Sequence, residues 1–136
     1  MRKLSNKLNV ESTYLGWIDQ HLIQKVMKKS DLLLMPSLWA EPFGLIGLEA
    51  GCVGLPTVGY LVGGIKDWLK PGVSGESGSE GEMNLIKFTE KIERILSDAN
   101  YWQKLRVGAW SNSKKYAIET HLQVLDQGFI SGIRDK

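Results

Sequence analysis

Fourteen consecutive residues, Ser37-Leu38-Trp39-Ala40-Glu41-Pro42-Phe43-Gly44-Leu45-Ile46-Gly47-Leu48-Glu49-Ala50, hold the side chains whose types and spacing could do chemistry. They follow a short apolar run, Asp31-Leu32-Leu33-Leu34-Met35, closed by Pro36. Where a buried parallel strand passes into a helix, ligands settle at the C-terminal edge of the sheet. A helix start at that edge offers N–H groups with no intrahelical partner and the positive end of the helix dipole, which suits phosphate. Gly44 omits a side chain where a ligand would press on the backbone. Glu41 falls in the loop over the helix entrance and Glu49 about two turns into the helix. Both carboxylates can therefore face one ligand, the first near its head and the second further along. Carboxylates bind paired hydroxyls well, as acidic residues do on the ribose of dinucleotides. The chemistry these residues suit is recognition of a phosphorylated, hydroxyl-rich molecule.

Such a site needs strands and helices in alternation. Residues 1–12 read as a frayed polar lead-in, and Thr13-Tyr14-Leu15 as a short strand closed by Gly16. Asp19 looks like the N-cap of a helix with Leu22, Ile23, Val26 and Met27 on one face. The unbroken run Asp31–Met35 predicts a strand buried on both faces. A helix from Phe43 to about Gly51 places Leu45, Leu48 and Cys52 on one side, with Gly44 and Gly47 each costing about 1 kcal/mol relative to Ala. Pro56–Tyr60 predicts a further strand, Gly63-Gly64 a turn, and Ile65–Leu69 a helical turn or two. Lys70 to Glu82 is Gly, Ser and Glu with almost no apolar residue and reads as a surface loop. Stripes at Leu85, Phe88, Ile92, Ile95 and Leu96, at Tyr101, Trp102, Leu105 and Ala109, and at Ile118, Leu122, Leu125 and Phe129 make the remainder helical. The expected fold is α/β, a partial Rossmann-like parallel sheet over residues 13–82 followed by C-terminal helices over 83–136.

Composition narrows the function classes. The 136 residues hold 43% hydrophobic side chains, enough for one core in one domain. A net charge of +2 with dispersed basic residues does not make an electrostatic nucleic-acid binder. Residues 41–82 carry six acidic side chains against two basic ones, so the acidic balance coincides with the Gly-rich middle. A single Cys forbids an internal disulfide and argues against a Cys-based zinc site. The apolar runs are too short to span a bilayer, and Met1-Arg2-Lys3 leads into no apolar signal segment. A cytoplasmic protein is the expectation.

Glu41 and Glu49, with seven residues between them and enclosing Pro42-Phe43-Gly44-Leu45, resemble the E-x7-E motif of GT-B glycosyltransferases, specifically their large retaining group 1 family. The similarity continues outward in order. Tyr14-Leu15-Gly16-Trp17, Ser30–Ser37, Gly54-Leu55-Pro56-Thr57-Val58, Gly63-Gly64-Ile65 and Pro71-Gly72-Val73-Ser74-Gly75 resemble successive strand ends and loops of that family, covering about residues 13–75. The resemblance implies the C-terminal, donor-nucleotide half of a GT-B donor domain. It also implies that Glu41 contacts hydroxyls of the donor sugar, that the backbone of Phe43, Gly44 and Leu45 holds diphosphate and sugar, and that Glu49 takes the ribose. Gly63 and Gly64 would line the same pocket. The implied reaction moves a glycosyl group from a UDP-, GDP- or ADP-linked sugar with retention, without a cofactor or metal. Such enzymes have a second, acceptor-side domain and further donor-domain strands bearing Arg and Lys, which these residues do not include. The expectation is a fragment, inactive alone, with a gap in its sheet between the Tyr14 strand and Leu32–Met35.

A second reading makes the chain a non-catalytic nucleotide- or partner-binding module that closes its sheet as a homodimer. Peripheral membrane contact is a further partner, since many members of the family act on lipid-linked acceptors. A dinucleotide-dependent oxidoreductase is excluded, because no G-x-G-x-x-G follows a strand. Gly47 suits helix–strand packing, Cys52 the core, and Trp17, Trp68, Trp102 and Trp110 core or helix packing, while Trp39 lies beside the site. His21 and His121 read as ordinary helix residues.

Overall fold

The computed structural model describes residues 2–79, 82–120, 122, 125 and 126. Its elements run α1 (Arg2–Lys7), α2 (Gln20–Lys28), β1 (Leu33–Met35), α3 (Leu45–Cys52), β2 (Thr57–Gly59), α4 (Ile65–Trp68), β3 (Gly75–Ser77), α5 (Leu85–Ser97) and α6 (Ala99–Ser113), then a 3-10 turn at Lys114–Tyr116. The three strands form one parallel sheet in the order β1-β2-β3, with Leu33 opposite Thr57 and Thr57 opposite Gly75. Parallel neighbours need crossovers, and α3 and α4 supply them. The α/β class and the parallel sheet therefore stand as expected.

Local chemistry sets most of the boundaries. Asp19, Asn84 and Asp98 cap α2, α5 and α6 by accepting the N–H of Leu22, Lys87 and Tyr101. The central strand β2 is buried at all three positions, which fits its Thr-Val-Gly run. The core gathers Val58, Tyr60, Ile65, Trp68 and Leu69 under Phe88, Ile95 and Leu105 from the last two helices. Met27 of α2 packs with Ala50 and Leu55 in a smaller cluster.

Several expectations change. Residues 2–7 form a helix where a frayed lead-in was expected. Thr13–Leu15 is not a strand, and the sheet has no gap: β1, β2 and β3 are contiguous neighbours. Strand propensity depends on context, and tertiary structure overrides it at Thr13–Leu15. Nor is β1 buried on both faces; it is an edge strand, and Leu34 is 46% exposed. The first helix of the site starts at Leu45 rather than Phe43, so Gly44 caps it instead of interrupting it. Cys52 is exposed, Trp17 is fully exposed and Trp110 is half-exposed, so none of these is core. His121 and Phe129 lie outside the described residues.

The largest difference is β3, which forms inside the segment read as a surface loop. Its central residue, Glu76, is 3% exposed. A buried carboxylate is tolerable only when paired and hydrogen-bonded. Lys91 Nζ lies 3.1 Å and Arg94 Nη1 3.6 Å from it, and the Tyr101 hydroxyl donates to it. A strand with a charged centre thus forms where a loop was expected because α5 and α6 bring the matching cations and donor. Burial first, and the bond to Glu76 second, push the Tyr101 hydroxyl up from 10.0 to about 12. Between those values the unfolded chain gives up a proton that the folded one keeps, so stability falls as pH rises from 10 to 12 and is fully retained below 10. Thermal melts of Tyr101→Phe should therefore lose less Tm across that interval than the wild type; parallel losses contradict this coupling.

Candidate functional site

Because β1 and β2 are parallel, the loops that leave them emerge at the same edge of the sheet. Residues 36–44 leave β1 for α3, and residues 60–64 leave β2 for α4. The two loops are in contact. Gly64 N–H donates to the Glu41 carbonyl at 2.8 Å, and a Cβ at Gly63 or Gly64 would collide with the backbone of Ala40, Glu41, Pro42 or Phe43. Gly63 also has φ +51, in the left-handed region. The glycine pair is thus the seat on which the Glu41 loop rests.

Trp68 holds the same loop from below. Its indole Nε1–H donates to the Phe43 carbonyl at 2.6 Å, and its ring fills the space that a Gly47 side chain would occupy. Gly47 is a packing residue, as expected, but its partner is the Trp68 ring of helix α4 rather than a strand. The Trp68 carbonyl in turn accepts from Asn112 Nδ2 at 2.7 Å and Ser74 Oγ at 3.1 Å, tying α4 to α6 and to the approach of β3. The Phe43 ring meets Tyr116 edge-on, with centroids 5.7 Å apart, and the Tyr116 hydroxyl donates to the Asp67 carbonyl at 2.8 Å. Sequence reasoning missed these partners, because nothing in the local pattern links Trp68 or Tyr116 to Phe43 across 25 or 73 positions.

Gly44, at φ +73 and ψ 52, precedes α3 without a side-chain cap. Gly47 N–H turns back to the Gly44 carbonyl at 3.1 Å, while the N–H groups of Leu45 and Ile46, ahead of it in the first turn, have no intrahelical or side-chain acceptor, at the edge of the sheet where ligands settle. Among the described residues, the side chains of Glu41 and Glu49 make no hydrogen bond or ion pair, and both are half-buried. Glu49 looks into an open groove of about 250 Å³ between α3 and the end of α6. Trp39 is largely exposed in the loop that carries Glu41. The structure therefore brings Glu41, Phe43 and Gly44 together with Gly63 and Gly64, and sets Leu45 and Glu49 along the adjoining groove. Among the described residues no group of three or more His, Cys, Asp or Glu could hold a metal ion, and no helix is long and apolar enough to cross a membrane.

Fold and site together describe the ligand-binding edge of a Rossmann-like parallel α/β sheet. The chain belongs to the glycosyl transferases group 1 family, whose profile matches residues 1–115. It is 37% identical over 108 residues to an uncharacterized glycosyltransferase of Methanocaldococcus jannaschii, covering 79% of this chain and 26% of that protein. It is 35% identical over 109 residues to a D-inositol 3-phosphate glycosyltransferase of Catenulispora acidiphila, covering 74% of this chain and 25% of that protein. In fold it matches Anabaena HepE, solved in complex with UDP and glucose, with TM-score 0.79 and 24% identity over 96% of this chain and 35% of that one. The chain thus spans about a quarter of the length of the curated relatives it matches.

If Trp68 seats the loop as described, Gly47→Ala must force a methyl group into the indole. The expected cost is about 1–3 kcal/mol, visible as a Tm several degrees lower in thermal melts; an unchanged Tm contradicts the packing described.

Proposed function

We propose that this chain binds the nucleotide sugar of a glycosyltransferase, an enzyme that moves a glycosyl group to an acceptor hydroxyl with retention at the anomeric carbon. The observation that carries the reading is the uncapped head of α3 at the sheet edge, flanked by two carboxylates with no protein partner. In the reaction, the anomeric carbon–oxygen bond to the diphosphate breaks and the diphosphate leaves with the electron pair. A new bond forms from the acceptor oxygen, whose proton is released. The developing charge on the diphosphate is met by the N–H groups around Gly44 and Leu45, with Phe43 supplying adjacent backbone. Glu41 accepts hydrogen bonds from the donor sugar, and Glu49 from the ribose diol. Gly63 and Gly64 act by holding the Glu41 loop in place beside the donor. The nucleotide sugar is a substrate, and this reading calls on no resident cofactor or metal.

Relatives of this chain include named glycosyltransferases, and structures of the same fold were solved with UDP or UDP-glucose. Both support binding of a nucleoside diphosphate. Acceptor recognition, on this reading, falls to parts of such an enzyme beyond these residues, so binding rather than turnover is the property to measure here. The open edge of β1, with Leu34 exposed, is where further strands would join, and it is also the feature that favours self-association as a second reading.

Calorimetric titration with UDP, GDP and ADP tests the assignment. One diphosphate should bind, and Glu49→Gln should weaken it about tenfold or more, the worth of a hydrogen bond to a charged group. Equal affinity in wild type and variant would remove Glu49 from the site.

A further inference from the structure

Glu49 shares its groove with a cation from the far end of the fold. One wall runs along α3 from Leu45 past Glu49 to Cys52, and the other is formed by Trp110, Lys114 and Tyr116. The Lys114 ammonium sits 3.4 Å from the centroid of the Trp110 ring, well within cation–π range. Among the described residues it makes no ion pair. Its backbone is anchored on the site side. Two residues on, Tyr116 packs edge-on against Phe43 and bonds the Asp67 carbonyl. The turn bearing Lys114 is therefore fixed to the loop that precedes the head of α3. That head otherwise lacks a cation of its own, since Leu45–Cys52 contains no Lys or Arg.

A nucleoside diphosphate with its ribose on Glu49 and its phosphates at the head of α3 would bring negative charge to the Leu45 end of this groove, within the reach of a flexible lysine on the opposite wall. We propose that Lys114 is a donor-binding residue, its ammonium pairing with a phosphate oxygen of the nucleoside diphosphate while Trp110 supports its stem. This assignment rests on the nucleotide-binding reading above. Holding the lysine on an aromatic face restricts its rotamers before the ligand arrives, which lowers the ordering cost on binding. The ammonium is exposed, so its attraction for phosphate is screened by salt.

The test compares wild type, Lys114→Met, Lys114→Arg and Glu49→Gln. Each is titrated with whichever of UDP, GDP and ADP binds most tightly, and with the matching nucleoside followed by NMR. Lys114→Met should weaken the diphosphate about tenfold at low salt, with the difference shrinking in 0.5–1 M salt, on the order of the ionic strength that shortens screening to a few ångströms. It should leave the nucleoside unaffected, Lys114→Arg should keep most of the affinity, and Glu49→Gln should weaken both ligands. Thermal melts establish that this exposed substitution leaves the fold intact. If Lys114→Met binds the diphosphate like wild type while Glu49→Gln loses it, the lysine assignment is wrong and the nucleotide reading stands. If wild type binds none of the three diphosphates, the nucleotide reading fails and the lysine assignment fails with it.

Discussion

The Trp68 indole, lodged against Gly47 and donating to the Phe43 carbonyl, is the contact on which the rest of the structure depends. An indole is the largest side chain, and burying it stabilises by far more than any single loop contact. Its one polar atom must find an acceptor when buried, and here the acceptor is the backbone just before the head of α3. The constraint is therefore steric and directional together. Gly47 must lack a side chain for the ring to enter, and the loop must present its carbonyl for the N–H to be satisfied. With both met, residues 41–44 lie pinned between Trp68 and the Gly63-Gly64 turn.

The last two helices hold this arrangement against the sheet. From α6, Asn112 reaches the Trp68 carbonyl, Arg106 Nε the Gly54 carbonyl at 3.1 Å, and Trp102 Nε1 the Asp31 carbonyl at 2.8 Å. From α5, Lys91 and Arg94 neutralise Glu76 inside β3. These are contacts to backbone and to a buried charge, where a missing partner costs more than a present one contributes. A domain of three short strands keeps its shape because its helices bond α4 and the segments leading into β1 and β2, and neutralise the buried charge in β3.

Much of this was legible in the residues themselves. Asp19 announced its helix, the run ending at Met35 and the Pro56–Tyr60 segment announced two strands, and the glycine at 47 announced close packing by its cost. The ordered motifs around Glu41 and Glu49 pointed to the family that the profile match establishes. What was not legible depended on distant partners. Glu76 looks like loop until Lys91, Arg94 and Tyr101 are folded over it. Thr13–Leu15 looks like strand but is not one here, because strand propensity is overridden by tertiary context. Trp17 and Trp110 looked like core or helix packing because tryptophan usually is, but burial is decided by what covers a residue: Trp17 is fully exposed, and Trp110, with Lys114 over its ring, stays half-exposed. The same limit hid Lys114 and Tyr116, whose place beside the Phe43 loop arises only from the turn at the end of α6.

Function follows from where the loops emerge. Two parallel strands deliver two loops to one edge, one carrying Glu41 and the helix head, the other the glycine pair that seats it. On the proposed function, this edge and no other surface receives a nucleoside diphosphate. Amide chemical-shift mapping distinguishes the surfaces, with UDP, GDP and ADP added in turn to the isotopically labelled chain. One of them should shift the amides of Gly44, Leu45, Glu49, Gly63 and Gly64 while those of Thr89 and Glu90 on α5 stay still. Saturable shifts confined to α5, or no change at the head of α3 at saturating nucleotide, would contradict that reading.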